Sequence, residues 1–180
     1  VFGSHIELST IQLQNLLDIP CCKPVEVNVN YFNILHKLRD PELKLKILRN
    51  QLISQIREVI DNEFTPVLFT SRKVISFKAN NEEFQFNKAL SLFIAQIINE
   101  LKYEIGYLIS KGGITSNTIL SDGFKVNYVY LEGQILNGIS VVSVNLPNTK
   151  ECIPLITFPG NIGSEDTMRV VWSILENNMN

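Results

Sequence analysis

Residues 111–117, with the sequence Lys-Gly-Gly-Ile-Thr-Ser-Asn, place a glycine pair between an apolar run and a cluster of helix-capping side chains. The apolar run at 105–109 predicts a short buried strand, and residues 115–117 are all favourable N-cap residues for a following helix. Glycine permits a positive φ and a close approach of the backbone to a ligand, and the free N–H groups in a helix's first turn attract anions. The segment therefore predicts a phosphate-binding turn or, as is more common for two glycines before a helix, a plain tight turn.

A second segment, residues 158–164, repeats this arrangement with the sequence Phe-Pro-Gly-Asn-Ile-Gly-Ser. An apolar strand is predicted at 153–158, and a helix is predicted at 165–176. No Walker A motif is present, so the two glycine turns are the only evident phosphate ligands. In open α/β sheets, ligands bind outside the carboxyl ends of the strands, where such turns converge. The two turns together therefore favour one shared nucleotide-binding pocket.

The composition favours one globular domain and argues against two classes of partner. The 180 residues are 45% hydrophobic and 19% charged, which is enough to form a core. With 16 basic and 18 acidic side chains and no basic cluster, no nucleic-acid partner is expected. No apolar run approaches the roughly 20 residues of a membrane helix, and the N-terminus lacks the pattern of a secretory signal. No membrane partner is expected, and a cytoplasmic location is predicted.

The sequence contains no evident metal site. The three cysteines, Cys21, Cys22 and Cys152, lack the spacing of a zinc site or a disulfide framework and are expected to be reduced. The two histidines, His5 and His36, lie far apart, and His5 is expected to be a hydrogen-bonded structural residue. A metal is therefore expected only together with a bound nucleotide.

Strand and helix patterns alternate along the chain. Apolar patterns predict strands at 25–29, 66–70, 126–131 and 138–144, the last two separated by a turn region at 133–138. Apolar residues at intervals of three or four predict a two-turn helix after Ser9 and Thr10, a long helix at 40–62 with Asp40 as N-cap, and a second long helix through 86–101. The alternation predicts an α/β fold, a three-layer α/β/α domain with a mixed, mostly parallel central sheet.

The chain begins without an initiator methionine, at residues 1–5, which have the pattern of the end of a strand. This beginning predicts that the sequence is a fragment of a longer protein. Part of an active site is therefore expected to lie outside this chain.

Five ordered segments resemble the C-terminal, nucleotide-binding half of the four-carbon acid sugar kinase family. They are Gly3-Ser4-His5 followed by Ser9-Thr10 and Gln12-Leu13, Thr70-Ser71-Arg72, residues 111–117, Glu132-Gly133-Gln134-Ile135 and residues 158–163. Family members are ATP-dependent kinases that phosphorylate four-carbon sugar acids such as threonate, erythronate or their oxo derivatives. The resemblance implies that residues 1–180 form the nucleotide-binding domain of a two-domain kinase, and that the N-terminal, sugar-acid-binding domain is absent from this chain.

The resemblance also implies which residues contact ATP. They are Ser4, Gly112, Gly113, Ile114, Thr115 and Gly160, with Asn161 and Gly163 as neighbours of the last turn. ATP with Mg²⁺ is the implied cofactor, and a four-carbon sugar acid is the implied substrate, in carbohydrate metabolism. The acidic catalytic group belongs to the missing half, so no catalytic residue is assigned and the isolated fragment is expected to be inactive. Residues 30–51 depart most from the family pattern, which leaves substrate choice and assembly open.

Several of these assignments have a structural alternative. Ser4 either contacts ATP or caps the next turn. Lys111 and Arg72 either neutralise phosphate charge or are solvated side chains at strand ends. Asp166 is expected to cap a helix, with magnesium binding as the less favoured alternative. For the whole domain, the alternative to a kinase is a non-catalytic module that binds a nucleotide or another anion for regulation, or that forms a homo-oligomer.

Overall fold

The structure, a computed structural model, describes residues 1–72, 75–77, 79–147, 149 and 151–179, with residues 178 and 179 described by their backbone only. The helices in this part of the chain are α1 (Glu7–Leu17), α2 (Val29–His36), α3 (Glu42–Asp61), α4 (Asn80–Leu101), α5 (Gly113–Thr118), which continues into a π-helical turn (Ile119–Phe124), and α6 (Thr167–Met179). The strands are β1 (Cys22–Val27), β2 (Thr65–Thr70), β3 (Leu108–Lys111), β4 (Tyr130–Leu136), β5 (Ile139–Asn145) and β6 (Cys152–Phe158). None of the described helices combines the length and the apolar composition needed to cross a bilayer.

Phe2 joins two groups of strands into one mixed sheet. β1 pairs with β2 in parallel, and β3, β6, β5 and β4 pair in that order. Phe2 forms parallel bridges to Phe69 of β2 on one side and to Lys111 of β3 on the other. Because β3 and β6 are also parallel and β5 is antiparallel to both β4 and β6, β5 alone runs against the other described strands. The sheet is therefore mostly parallel.

Side chains from the two faces of the sheet form two separate cores. In β6, Ile153 and Leu155 contribute to one core, whereas Ile156 and Phe158 contribute to the other. This division follows the two-residue period of a strand. Apolar side chains of α2, α3 and α4 complete the first core, and those of α1 and α6 complete the second. Helices thus cover both faces of the sheet, and the predicted three-layer α/β/α fold is confirmed.

The predicted helices are present, with shifted ends. The two-turn helix expected after Ser9 and Thr10 starts earlier, at Glu7, so that Ser9 lies inside α1. The N-cap of α3 is Pro41 rather than Asp40. The helix predicted at 165–176 starts later, at the first residue of α6, because the second glycine turn extends through residue 166. Capping sequences therefore located these helices to within about one turn.

The predicted strands are shifted further. The strand expected at 105–109 corresponds to β3, which begins later, at Leu108. It begins there because residues 102–107 return the chain from the end of α4 to the sheet. The strand expected at 126–131 is β4, which begins at Tyr130 and continues through Gly133 with a register shift against β5. The turn between β4 and β5 is Asn137-Gly138 alone, with a positive φ of 78° at Gly138. Glycine thus marks an irregular strand at one position and a turn at the other.

Helix α2 was not predicted, and Val29 was assigned to the preceding strand. Val29 instead begins α2, whose N-cap is Asn28, and the Asn28 side chain accepts a hydrogen bond of 3.0 Å from the backbone N–H of Tyr31. The N–H of Val29 donates to the hydroxyl of Ser71, also at 3.0 Å. Alternating valines favour a strand, whereas these polar partners stabilise the start of a helix at Val29, so the strand ends at Val27.

The position of Phe2 predicts that its side chain is critical for stability. Phe2 is 1% exposed and packs in the core formed with α1 and α6. We expect Phe2→Ala to lower the free energy of unfolding by about 3–5 kcal/mol, because it leaves a cavity beside the only bridge between β2 and β3 in the described structure. Urea denaturation should measure this loss, and Phe84→Ala, at a position that is 63% exposed, is the matched control. Equal stability of the two variants would contradict the assignment.

Candidate functional site

The candidate site lies where the carboxyl ends of four neighbouring parallel segments meet. β2 leads into Arg72, the Phe2 segment leads into Ser4, β3 leads into Gly112, and β6 leads into Gly160. In sheet order these segments are direct neighbours. Parallel strands present their carboxyl ends at one edge, which is the usual position of a ligand site in α/β sheets.

Ser4 lies between the two glycine turns. A Cβ atom added to Gly112, which has a φ of 117°, would lie 3.4 Å from the backbone nitrogen of Ser4. A Cβ atom added to Gly160 would lie 2.8 Å from the Ser4 hydroxyl oxygen, and one added to Gly3 would overlap the hydroxyl of Thr115. Glycine is therefore required sterically where these segments meet. The structure brings Ser4, Gly112, Thr115 and Gly160 together, as the shared-pocket hypothesis requires.

The first glycine turn presents free backbone donors. Within the described residues, the N–H groups of Gly113, Ile114 and Thr115 have no hydrogen-bond partner, whereas the N–H of Ser116 donates to the carbonyl oxygen of Gly112 and closes the first turn of α5. A Cβ atom added to Gly113 would meet no atom within 4 Å, and Ile114 is 73% exposed. The start of α5 is therefore open to a ligand, and its unpaired N–H groups favour an anion.

The carbonyl groups of the second glycine turn are hydrogen-bonded to α1. The Ser9 hydroxyl donates to the carbonyl oxygen of Gly160 at 3.1 Å, and the Gln12 side-chain amide donates to that of Ser164 at 2.7 Å and that of Ile162 at 3.2 Å. Both Ser9 and Gln12 are fully buried. These bonds hold the carbonyls toward the protein. In the part of the chain that is described, the N–H groups of Gly160 and Asn161 have no partner.

Lys111 connects the two turns. Its ammonium group donates to the carbonyl oxygens of Pro159 at 2.8 Å and Ile162 at 3.4 Å, and it lies 3.7 Å from the centre of the Phe158 ring. The side chain is fully buried, and this burial lowers the pKa of Lys111 to about 8. The alternative of a solvated lysine at a strand end is therefore wrong. Lys111 comes from the first turn and holds the second.

Two more basic residues lie on the other side of Ser4. Arg72 donates a hydrogen bond from Nη1 to the carbonyl oxygen of Ser4, and the His5 ring nitrogen Nε2 lies 3.1 Å from the hydroxyl of Thr70. Burial, and then the charge of Arg72, lower the pKa of His5, and burial lowers the pKa of Arg72. Among the described residues, Lys111, Arg72 and His5 have no ion pair with a carboxylate. The site therefore has an uncompensated positive charge, which favours an anionic ligand.

Of three further residues of the second turn, Gly163 and Asp166 contact other parts of the protein, and Asn161 is exposed. Gly163 has a φ of 88°, and a Cβ atom there would lie 2.5 Å from the hydroxyl oxygen of Thr167, so this glycine is required by packing against α6. The Asp166 carboxylate accepts a hydrogen bond of 3.4 Å from the side-chain amide of Asn15. Asn161 is exposed. No group of three His, Cys, Asp or Glu side chains that suits a metal ion occurs among the described residues.

An apolar cavity at the opposite edge of the sheet is a poor candidate for the same ligand. It has a volume of about 240 Å³ and is lined by the first residues of β2 and β3. Glu104, which is paired with Arg57, and Glu176 are also among its lining residues, and neither is a ligand for a phosphate. The open cradle formed by Ser4 and the two glycine turns, at the carboxyl ends of the strands, is therefore the better candidate for an anion site.

Sequence reasoning assigned no role to Ser9 and Gln12. Both belong to the buried stripe of α1, which continues through Leu13 and Leu16. The spacing of 9, 12, 13 and 16 is that of one helix face. Two polar residues on an otherwise apolar face are a signal that they have buried hydrogen-bond partners, and this signal was available in the sequence.

Comparisons with known proteins agree with this geometry. Residues 1–168 match the model of a family described as a nucleotide-binding C-terminal domain. A Haemophilus influenzae protein of the DUF1537 family is 20% identical, with a TM-score of 0.69 over 95% of this chain and 38% of that one. A Bordetella bronchiseptica DUF1537 protein, a domain-swapped dimer with bound citrate, is 10% identical, with a TM-score of 0.67 over 96% of this chain and 39% of that one. No curated protein matches the sequence.

The parallel sheet with glycine turns at its carboxyl edge is thus that of a nucleotide-binding α/β domain. The chain belongs to the nucleotide-binding C-terminal domains of the four-carbon acid sugar kinase family, which confirms the resemblance in its sequence. It spans less than two fifths of the length of the solved relatives described above.

The buried lysine predicts an unusual dependence of stability on pH. Between the folded pKa of about 8 and the ordinary value of 10.5, the unfolded chain binds the Lys111 proton more tightly than the folded protein does. The free energy of unfolding should therefore rise with pH across this window, and this group should add no slope below it. We expect the rise to be smaller by about 2–3 kcal/mol in Lys111→Met.

Urea unfolding of both proteins at several pH values from neutral to alkaline tests this expectation. Lys44→Met, at an exposed position on α3, controls for the loss of one positive charge. The same pH dependence in wild type and Lys111→Met would show that the lysine is not desolvated in the folded protein.

Proposed function

We propose that this domain binds ATP with Mg²⁺ at the cradle and forms the C-terminal half of a kinase that phosphorylates a four-carbon sugar acid of the threonate, erythronate or oxo-tetronate type. One observation carries the proposal. Two glycine turns meet at Ser4, and buried donors hold the carbonyls of the second turn away from the open side. The remaining backbone N–H groups and the charged Lys111 and Arg72 side chains then suit a polyphosphate.

The residues available to hold the nucleotide are those of the two turns. The N–H groups of Gly113, Ile114 and Thr115 and the Ser4 hydroxyl would bind phosphate oxygens, and the second turn would contribute Gly160 and Asn161. Gly163 would shape that turn through its packing against α6. Backbone donors at a helix start need no charged side chain to bind phosphate, so the absence of a Walker A lysine does not count against this site.

Magnesium would enter with the phosphates. The described residues contain no cluster of three acidic or histidine ligands, and Asp166 is directed to Asn15. Mg²⁺ in kinases is commonly bound by one or two carboxylates together with substrate phosphates and water. The donors present here therefore fit a magnesium–nucleotide complex better than a resident metal ion.

ATP supplies the phosphoryl group in this reaction. The residues of this chain bind and orient the nucleotide and neutralise the charge of its phosphates. Lys111 fixes the position of the second turn, and Arg72 fixes that of Ser4 through its carbonyl group. Positioning and charge neutralisation are the main contributions of protein groups to phosphoryl transfer. The acceptor site and the group that accepts the hydroxyl proton would lie in an N-terminal domain, in keeping with the larger size of the solved relatives.

Turnover separates the kinase from a non-catalytic module. We expect the full-length protein to consume ATP only when a four-carbon sugar acid is added, and a panel of tetronates in a coupled ADP-release assay would identify the acid. The isolated domain should bind ATP weakly and show no kinase activity, because the acceptor site is elsewhere. ATP binding without turnover for any acid would instead favour a regulatory or oligomerisation module. Phosphorylation of a tetronate by the isolated domain would contradict the division between two domains.

A single substitution tests the position of the phosphates. Because a Cβ atom at Gly113 meets no described atom within 4 Å, Gly113→Val should leave the fold intact while its side chain covers the N–H groups of α5. We expect ATP affinity to fall by roughly 10- to 100-fold in a calorimetric titration. Asn117→Val, at an exposed position one turn further along the same helix, is the control. Unchanged ATP affinity in Gly113→Val would exclude the start of α5 as the phosphate site.

A further inference from the structure

The three basic residues near Ser4 differ in how many of their hydrogen-bond donors are occupied. Lys111 donates to two carbonyl groups of the second turn and lies over the Phe158 ring, so its ammonium group is already committed within the protein. The His5 ring contacts Thr70 through Nε2, and its lowered pKa leaves it mostly neutral at physiological pH. Neither residue is well suited to contribute a charged, unoccupied donor to a ligand.

Arg72 has the opposite character. Its Nη1 donates to the Ser4 carbonyl oxygen, whereas Nε and Nη2 are shielded from solvent and have no hydrogen-bond partner in the described structure. Buried charged donors without a partner are costly, so such a group calls for an explanation. An arginine remains protonated even where burial lowers its pKa, so the positive charge persists at neutral pH.

The two unpaired donors are on the same edge of the guanidinium plane. Nε and Nη2 form the fork that binds two oxygens of one carboxylate or phosphate group, and the Nη1 bond to Ser4 fixes the orientation of this fork. The described residues provide no carboxylate for it, since their salt bridge joins Arg57 and Glu104. The Nη1 bond therefore orients a charged, bidentate fork whose two donors are buried and have no partner in the described structure.

Its position in the sheet indicates that one end of a phosphate chain held by the glycine turns would reach it. Arg72 follows β2, whereas the glycine turns follow β3 and β6, and the Phe2 segment lies between β2 and β3. With strands about 4.8 Å apart, β2 and β3 are separated by about 10 Å. A phosphate chain bound at the glycine turns would therefore meet Arg72 at one end of the chain.

We propose that Arg72 binds the terminal phosphate of the nucleotide held by the two glycine turns, an inference that rests on the proposed ATP site. The side chain has two roles in this arrangement. Through Nη1 it positions the Ser4 backbone. Through Nε and Nη2 it binds and neutralises the phosphate group that is transferred. Arg72 would thus distinguish a nucleoside triphosphate from a diphosphate, which backbone donors at the glycine turns alone would not do.

Calorimetric titration of the full-length protein with Mg-ATP and with Mg-ADP tests the proposal. Arg72→Gln removes the charge, the fork and the support of Ser4, and we expect ATP affinity to fall by roughly 10-fold or more and by clearly more than ADP affinity, which loses only the support of Ser4. Arg72→Lys keeps the charge without the fork and should give an intermediate loss for ATP alone. Arg39→Gln, which replaces an exposed arginine between α2 and α3, should leave both affinities unchanged.

The readout separates a phosphate ligand from a purely structural arginine. If Arg72 only supports Ser4, the variants should weaken ATP and ADP equally or leave both unchanged, and either result would overturn the proposal. Thermal unfolding identifies a variant that does not fold, in which case Arg72→Lys provides the comparison. If the wild-type protein binds neither nucleotide, the proposed function fails together with this inference. If the wild type binds both and the variants do not discriminate between them, only the inference fails.

Discussion

The hydrogen bonds from the buried Lys111 ammonium group to the second glycine turn are the interaction on which the site depends. Lys111 ends β3, immediately before Gly112, and it reaches the carbonyl oxygens of Pro159 and Ile162. Desolvating an ammonium group is expensive, and no carboxylate among the described residues offsets it. Two carbonyl groups and the face of the Phe158 ring stabilise the ammonium group instead of a carboxylate. The second turn therefore keeps its geometry only while these groups face the lysine.

This arrangement has a consequence for the backbone of the second turn. Ser9, Gln12 and Lys111 together bind carbonyl groups from Pro159 to Ser164 from inside the protein. Peptide units have opposed N–H and C=O groups, so fixing the carbonyls inward directs the neighbouring N–H groups outward. The outward direction of these N–H groups is thus a property of buried side chains that would not need to touch a ligand. Glycine at 112 and 160 then allows Ser4 to approach both turns.

Local patterns in the sequence were sufficient for the long elements and for the segments that form the cradle. Helices α3 and α4 follow from a single apolar stripe, and both glycine turns follow from strand, glycine and capping residues in sequence. The assignment of Val29 to a strand was wrong because alternating valines are compatible with a strand. The partner of the Val29 N–H, the Ser71 hydroxyl, is distant in sequence and could not be identified from the pattern. The structural role of Lys111 was missed for a similar reason, since its partners are some 50 residues away and only the fold makes it buried.

The electrostatic character of the site also follows from the fold rather than from composition. The chain has a formal charge of −2, yet the side chains around Ser4 are basic and form no ion pair in the described structure. A carboxylate here would neutralise Arg72 and compete with phosphate for the N–H groups of α5. With no such ion pair among the described residues, the charge of Arg72 stays available to a polyanion. A cradle built in this way suits the binding of a phosphoryl donor, and under the proposed function the general base would come from the N-terminal domain.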